Sequence, residues 1–292
     1  MPAGMVTRTL PELSEREFAQ FQRLIYAEAG IRLPDDKRTL VASRLARRMR
    51  DLAMPSYGAY YRRVVAGADD ELTRMLDAIT TNETQFFREA RQFELLAGGC
   101  CGEWTAQAAA GARPRRVRVW SAACSTGEEP YSIATVLHDR LSTDGWQFEI
   151  VASDLCTTAL ASARRGVWPV KQVTAVPKPL LKRYFLRGVG PEAGRAKIDP
   201  SIRAMVEFRQ INLSDQSYPL AGTFDAVFCR NALIYFDAAS RAHVVTRLIE
   251  RLAPGGFLFL GHAESLVGTT HPLRSVMPAV YQLPAATPRP AP

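Results

Sequence analysis

The chain reads as an α/β protein of Rossmann type: a mostly parallel sheet with a small inserted β-subdomain, preceded by an all-helical domain. Three observations predict this class. Residues from about 12 to 76 read as helices throughout, with apolar side chains at helical spacing. From about residue 116, short apolar segments alternate with amphipathic ones, the rhythm of a parallel sheet covered by helices on both faces. Between about 166 and 204 that rhythm is interrupted by a Gly- and Pro-rich stretch suited to a short hairpin. The expected organisation is a helical domain over 1–79, a linker over 80–90, an α/β domain over 91–283 with its insertion near 166–204, and a disordered tail over 284–292.

The helical domain opens with Ser14 and, three residues on, Glu17, a capping box ahead of Phe18, Phe21, Leu24 and Ile25. Gly30 stops this helix. Further helices are expected over about 35–51, 56–66 and 69–79, with Pro34 and Pro55 as punctuation. The run 80–84 breaks the pattern, and another helix follows near 90–97. Strands are then expected at 117–123, 148–153, 205–211, 224–229, 257–260 and 281–283, with helices at 130–141, 157–165 and 238–252. In the insertion, two short strands flank the turn around Gly188, Gly190 and Gly194.

At 292 residues the chain has ample length for a real core, and 47% apolar against 23% charged residues is ordinary for a globular protein. No apolar run nears the ~20 residues of a membrane span, and no signal-peptide pattern opens the chain, so a cytoplasmic location is expected. Residues 1–4 read as a loose terminus. None of the cysteines, Cys100, Cys101, Cys124, Cys156 and Cys229, forms a C-x-x-C pair, and no His pair has metal-ligand spacing. Buried thiols in a reducing compartment, without a structural metal, are the expectation.

The excess of positive charge is concentrated. Between Lys37 and Arg63 lie Lys37, Arg38, Arg44, Arg47, Arg48, Arg50, Arg62 and Arg63 against one acid, Asp51. Leu45 and Met49 mark the apolar face of a helix there, which spreads Arg44, Arg47 and Arg48 over its exposed side. Such a face is either simply solvated or a docking surface for an acidic partner.

The chemistry is concentrated at the carboxyl ends of the expected strands, where open α/β sheets bind ligands. The first such site is Trp120-Ser121-Ala122-Ala123-Cys124-Ser125-Thr126-Gly127-Glu128-Glu129-Pro130-Tyr131-Ser132. It passes from strand to helix through small residues, with Ser125 or Thr126 as candidate cap and Pro130 early in the helix. Two glutamates there would repel a phosphate and suit a nucleoside with a cationic tail. Asp154 ends the second strand and can accept hydrogen bonds from both ribose hydroxyls, or else cap the next helix. Arg230-Asn231-Ala232-Leu233-Ile234-Tyr235-Phe236 follows the apolar strand 224–229, and its aromatics taken alone would be core residues. The order of these features at successive strand ends argues for one site.

Together with Thr81-Asn82-Glu83-Thr84-Gln85-Phe86-Phe87-Arg88-Glu89 and Gly255-Gly256-Phe257-Leu258-Phe259-Leu260-Gly261-His262-Ala263-Glu264-Ser265, these stretches resemble the CheR family. Its members are class I, S-adenosylmethionine-dependent methyltransferases that modify glutamates of chemotaxis receptors. The resemblance runs from the helical region to about residue 283. Cys124 stands where the family usually has another small residue, a change not expected to disturb binding.

The resemblance implies that Asn82, Thr84 and Arg88 approach the cofactor from the linker, Arg88 towards its carboxylate end. It implies Glu129 beside the glycine turn, with the adjacent Glu128 not separable from it by sequence. Asp154 would hold the ribose, Asn212 and Leu213 flank the adenine, and Arg230 and Asn231 line the cleft. Tyr235 would sit beside the sulfonium, and Arg230 would help neutralise the incoming carboxylate. The implied products are glutamate methyl esters and S-adenosylhomocysteine. The implied partner is the Glu- and Gln-rich cytoplasmic helical region of the receptors, docked by Arg44, Arg47 and Arg48. In some members the β-subdomain grips a receptor's C-terminal peptide by adding a strand. A monomer acting without metal, nucleic acid or membrane insertion is expected. Enzymes that methylate amino groups usually carry Asn/Asp-Pro-Pro-Tyr/Phe after the fourth strand, where this chain has Arg230-Asn231-Ala232-Leu233.

Overall fold

The structure, a computed structural model, describes residues 12–266 and 270–285. The expected loose opening at 1–4, and the expected tail from residue 286 on, lie outside the described residues. The chain divides into two compact units, Met1–Thr81 and Asn82–Pro292.

The first unit is all helical. Helix α1, Glu15–Ala29, begins with a capping box: Glu17 N donates to Ser14 Oγ (3.3 Å) and Ser14 N to the Glu17 carboxylate (3.1 Å). Helices α2 (Arg38–Asp51), α3 (Tyr57–Val65) and α4 (Glu71–Ile79) follow. Phe18, Phe21 and Ile25 of α1 are buried, as are Val41, Leu45 and Met49 of α2, Tyr60 and Val64 of α3, and Met75 of α4. That burial removes the apolar stripe of each helix from water, the main source of the unit's stability. One charge joins this core. Glu71 is fully buried and accepts from Arg48 Nε (2.7 Å) and from the Tyr60 hydroxyl (2.8 Å), which satisfies it in a dry environment.

The second unit starts with α5 (Ala90–Glu94), which runs through a π turn (Leu95–Cys100) into α6 (Cys101–Ala109). Only the helix near 90–97 is expected from sequence; the chain continues through Gly98 and Gly99 as a single widened turn. The alternating region comprises β1 (Arg116–Ser121), α7 (Glu128–Leu141), β2 (Gln147–Asp154) and α8 (Thr157–Arg165). The insertion holds β3 (Val167–Pro169), α9 (Lys178–Tyr184), β4 (Phe185–Arg187), β5 (Arg195–Ile198) and α10 (Pro200–Arg203). Then come β6 (Val206–Gln210), β7 (Phe224–Cys229), α11 (Ala238–Ile249), β8 (Leu252–Leu260), β9 (Arg274–Met277) and β10 (Val280–Gln282).

The main sheet has the order β6-β2-β1-β7-β8-β10-β9. Its first five strands are parallel; β10 runs antiparallel to both β8 and β9. Alternate residues face opposite layers, the period-2 pattern of strands. Val117, Val119, Phe228 and Phe259 pack with Ile133 and Leu137 of α7, whereas Trp120, Val227 and Leu258 pack with Val244 and Leu248 of α11. The insertion is a separate antiparallel sheet, β3-β5-β4. The expected hairpin is β4 and β5; the additional strand β3 anchors it through the buried Trp168, whose ring lies 4.9 Å from that of Phe86 and 5.4 Å from that of Tyr131.

Registers align the functional ends. Ser121 of β1 faces Ala152 of β2 and Phe228 of β7, so the turns after β1, β2 and β7 emerge side by side. This is the topological switch point of a doubly wound sheet, where the order reverses on either side of β1. Among the described residues, no helix is long and apolar enough to cross a membrane.

Candidate active site

The turn after β1 is tight. Ala122 N donates to Phe228 O (2.7 Å) and Cys124 N to Ser153 O (2.9 Å), which ties the turn to both neighbouring strands. Ser125 has φ 48° and Gly127 φ 98°, left-handed conformations that turn the chain sharply, with Ser125 N donating to Asp154 Oδ2 and Gly127 N to Cys124 O. A Cβ on Gly127 would lie 2.9 Å from Ala163 Cβ, so only glycine lets the turn rest on α8. Gly127 itself caps α7. The two residues expected as caps are engaged elsewhere: Ser125 Oγ donates to Asn82 O (2.9 Å) and Thr126 Oγ1 to Glu128 Oε2 (2.7 Å).

Asp154 bridges two strand ends. Its Oδ2 accepts from Ser125 N (2.8 Å) and its Oδ1 from Cys156 N (2.9 Å), whereas α8 is capped by Cys156. Asp154 thus holds both the β1 turn and the backbone that opens α8. Next to it, Asn82 Nδ2 lies 3.3 Å from Cys156 Sγ, so the linker residue sits at this same strand end. Thr84 is half-buried further along the linker. On the far side, Asn212 Oδ1 accepts from Ser214 N (3.0 Å), and the carbonyl of the buried Leu213 accepts from the Tyr218 hydroxyl (2.9 Å).

The two glutamates of the β1 turn are both buried and face different partners. Glu128 turns back on Thr126; Glu129 accepts from Ser121 Oγ (2.7 Å) and from Arg230 Nη1 (3.2 Å). Burial pushes the carboxyl of each above the usual range, and for Glu129 the Arg230 guanidinium pulls the other way.

Arg230 is the centre of a buried charge cluster. Its side chain is 2% exposed and lies 3.2 Å from Glu89 Oε2 as well as from Glu129. It also donates to the Arg88 carbonyl and covers the Phe93 ring at 5.5 Å. In this geometry Arg230 locks the linker to the ends of β1 and β7. Enclosed in this way, the guanidinium is engaged by Glu89, Glu129 and the Arg88 carbonyl. The Arg88 side chain is half-buried, with Nη1 donating to Glu83 O (3.3 Å). Phe87 (φ 52°) and Glu89 (φ 60°) hold strained backbone in the linker, as does Asn231 (φ 57°) after β7. Such strain collects where structure over-determines a functional loop.

Two residues of this region carry no role on the sequence reading: Glu89, and Glu264 in the turn after β8. Each accepts from backbone N–H groups of another segment, Glu89 from His262 N and Glu264 from Asn231 N and Leu233 N, partners that no local pattern in the sequence signals. Tyr235 is half-buried at the end of a 3₁₀ turn, Leu233–Tyr235, while its neighbours differ: Ile234 is exposed and Phe236 buried.

In the helical unit, the expected spread of three arginines over one exposed face is corrected. Arg48 is held by buried Glu71, and Arg44 donates to the Ile79 carbonyl and to Thr81 Oγ1 (2.9 Å). Arg47 and Arg50 are the exposed arginines of α2, with the exposed Asp51 at its end. All five cysteines are buried, and none forms a disulfide. Among the described residues, no cluster of His, Cys, Asp and Glu is placed to hold a metal ion.

Acidic, phosphate-repelling turns around a carboxylate that can accept hydroxyl donors fit a nucleoside carrying a positive charge. Comparison with known proteins agrees. The family profile described as "CheR methyltransferase, SAM binding domain" matches residues 82–281, and "CheR methyltransferase, all-alpha domain" matches 16–80. The chain is 42% identical over 268 residues to "Chemotaxis protein methyltransferase 2" of Pseudomonas aeruginosa, covering 92% of this chain and 93% of that protein. It is 40% identical over 254 residues to the "Chemotaxis protein methyltransferase" of Salmonella typhimurium, covering 87% and 85%. The chain belongs to the CheR methyltransferase family and is an S-adenosylmethionine-dependent methyltransferase.

Proposed function

We propose that the enzyme methylates the γ-carboxylates of glutamates in the cytoplasmic helical region of chemotaxis receptors, giving methyl esters that adapt the sensory response. The observation that carries this is the set of strand-end turns around Asp154, Glu129 and Tyr235, on a chain whose relatives are chemotaxis protein methyltransferases.

When bound, S-adenosylmethionine supplies an electrophilic methyl group on a sulfonium. Asp154 takes the ribose hydroxyls, and Asn212 with Leu213 borders the base. Asn82, Thr84 and Arg88 close the linker side, Arg88 towards the cofactor's carboxylate. Glu129, held in place by Arg230, and Asn231 line the cleft. A glutamate carboxylate, with an ordinary pKa of about 4.3, is already ionised at neutral pH and needs no general base. The protein's work is to align nucleophile and methyl and to strip water from the carboxylate. Tyr235 contributes its ring face to the cation and its hydroxyl to the carboxylate's orientation.

Arg47, with its exposed neighbour Arg50, is the docking charge for the acidic receptor helices; Arg44 and Arg48 support it by fixing α2 against α4. The free edge of β4, with exposed Leu186 and Val189, is the surface offered to a receptor's C-terminal peptide. On this reading the enzyme works in the cytoplasm, as a monomer, on protein and not on nucleic acid. Labelled cofactor is to be incubated with receptor cytoplasmic fragments whose glutamates are replaced by alanine in turn. Label should vanish site by site; label that survives removal of every glutamate would refute the proposal.

A further inference from the structure

We infer that Glu264 is a positioning residue for the cofactor cleft, acting through the backbone of the turn that carries Asn231 and Tyr235. Glu264 is 3% exposed and lies in the turn after β8, on an element different from the one it holds. Four backbone N–H groups converge on its carboxylate. Oε1 accepts from Leu233 N (2.7 Å) and Ile234 N (3.3 Å); Oε2 accepts from Asn231 N (2.8 Å) and Gly261 N (2.7 Å). Three of these donors belong to the turn after β7 and the fourth to the end of β8.

This arrangement has a clear physical cause. Asn231 sits at φ 57°, and a left-handed residue within a turn makes successive N–H groups point to one concave side, a nest for an anion. The molecule fills that nest with its own carboxylate. The packing is close: a Cβ on Gly261 would lie 2.6 Å from Asn231 Nδ2 and 2.8 Å from Glu264 Oε2. Gln92 Nε2 donates to Leu260 O (2.8 Å), which fixes the peptide preceding Gly261 from the other side. Turns after β7 and β8 are thus one rigid piece, and the position of Tyr235 depends on a residue 29 positions later in the chain.

Glutamine is the discriminating substitution. Both carboxylate oxygens accept two N–H groups, so an amide placed either way faces donors with a donor. The turn must then shift or leave buried N–H groups unpaired.

The inference rests on the proposed assignment of Asn231 and Tyr235 to the cofactor cleft, and the experiment separates the two. Glu264→Gln is assayed for methyl transfer at varied cofactor concentration, with rates normalised to the folded fraction. A rise in KM for S-adenosylmethionine together with a fall in kcat, lowering kcat/KM by about tenfold or more, is expected. A role confined to stability would lower only the folded fraction; unchanged kcat and KM per folded molecule would overturn the inference. Gly261→Ala perturbs the same junction from its other side and should shift the same two constants. Failure of both variants to fold at any temperature would also count against a positioning role. Asn231→Ala and Tyr235→Phe serve as controls. If they leave the cofactor constants unchanged, the cleft assignment fails; if they alter them while Glu264→Gln and Gly261→Ala do not, only the present inference fails.

Discussion

Removing the Arg230 guanidinium should strand two buried carboxylates. In Arg230→Met the side chain keeps much of its volume, while Glu89 and Glu129, each 9% exposed, lose their shared counter-ion. Breaking a buried ion pair from one side costs about 3–5 kcal/mol, because the remaining charge is left without compensation. In a urea titration of the intact chain, this lowers the midpoint of the second unit's transition by roughly 1–2 M.

The deficit should depend on pH with a defined sign. Burial already raises the Glu129 carboxyl, and Arg230 opposes that rise; without Arg230 it rises further. A carboxyl raised in the folded state takes up protons on folding between its unfolded and folded values. Acidification through that window therefore favours the folded variant, so its deficit narrows as pH falls towards the ordinary carboxylate range. Adding Glu129→Gln and Glu89→Gln should recover most of the loss. A deficit of under about 0.5 kcal/mol, or one that neither acid nor the added amides reduce, would refute the charge-cluster reasoning.

Other consequences are open to test. Gly127→Ala combines a φ of 98° with a Cβ 2.9 Å from Ala163; it should destabilise by roughly 1–3 kcal/mol and weaken cofactor binding measured by calorimetry. Hydrogen bonds from Arg118, then from Arg116, hold Glu149 down to about 2. Its contribution is therefore present above about pH 4.5 and lost as pH falls towards 2. At 35% exposure, solvent screening limits it to about 1–2 kcal/mol, and Glu149→Gln should flatten that acid limb in a thermal melt. Reversing Arg47 and Arg50 to Glu should slow receptor methylation, most at low salt, with cofactor affinity unchanged; equal rates across salt would remove α2 from docking.

The mostly parallel character of the main sheet and the small-residue, acidic turns at its strand ends were readable because both follow from local pattern; the order of its strands, set by pairing between distant segments, was not. Apolar runs such as 117–121 and 224–229 specify buried parallel strands, and the small residues and acids after them specify ligand-facing turns. What escaped reading depends on distant partners. Helical periodicity puts Leu45 and Met49 inward, but nothing local says that Arg48 reaches Glu71, 23 residues on, and leaves the exposed face. Arg230 stands at a strand end, where it reads as cleft-facing; its burial follows from Glu89 in the linker and Glu129 in the β1 turn. Helix α6 was hidden by Gly98-Gly99, and β9, a short and largely exposed edge, has no alternation to reveal it.

The central claim is that methyl from S-adenosylmethionine ends on a receptor carboxylate. Receptor-bearing membranes are incubated with the enzyme and methyl-labelled cofactor, then treated with mild base. The label should be released as volatile methanol, because a glutamate methyl ester hydrolyses under those conditions. Label that stays on protein or nucleic acid through the base treatment would mean transfer to nitrogen or another acceptor, and would contradict the account.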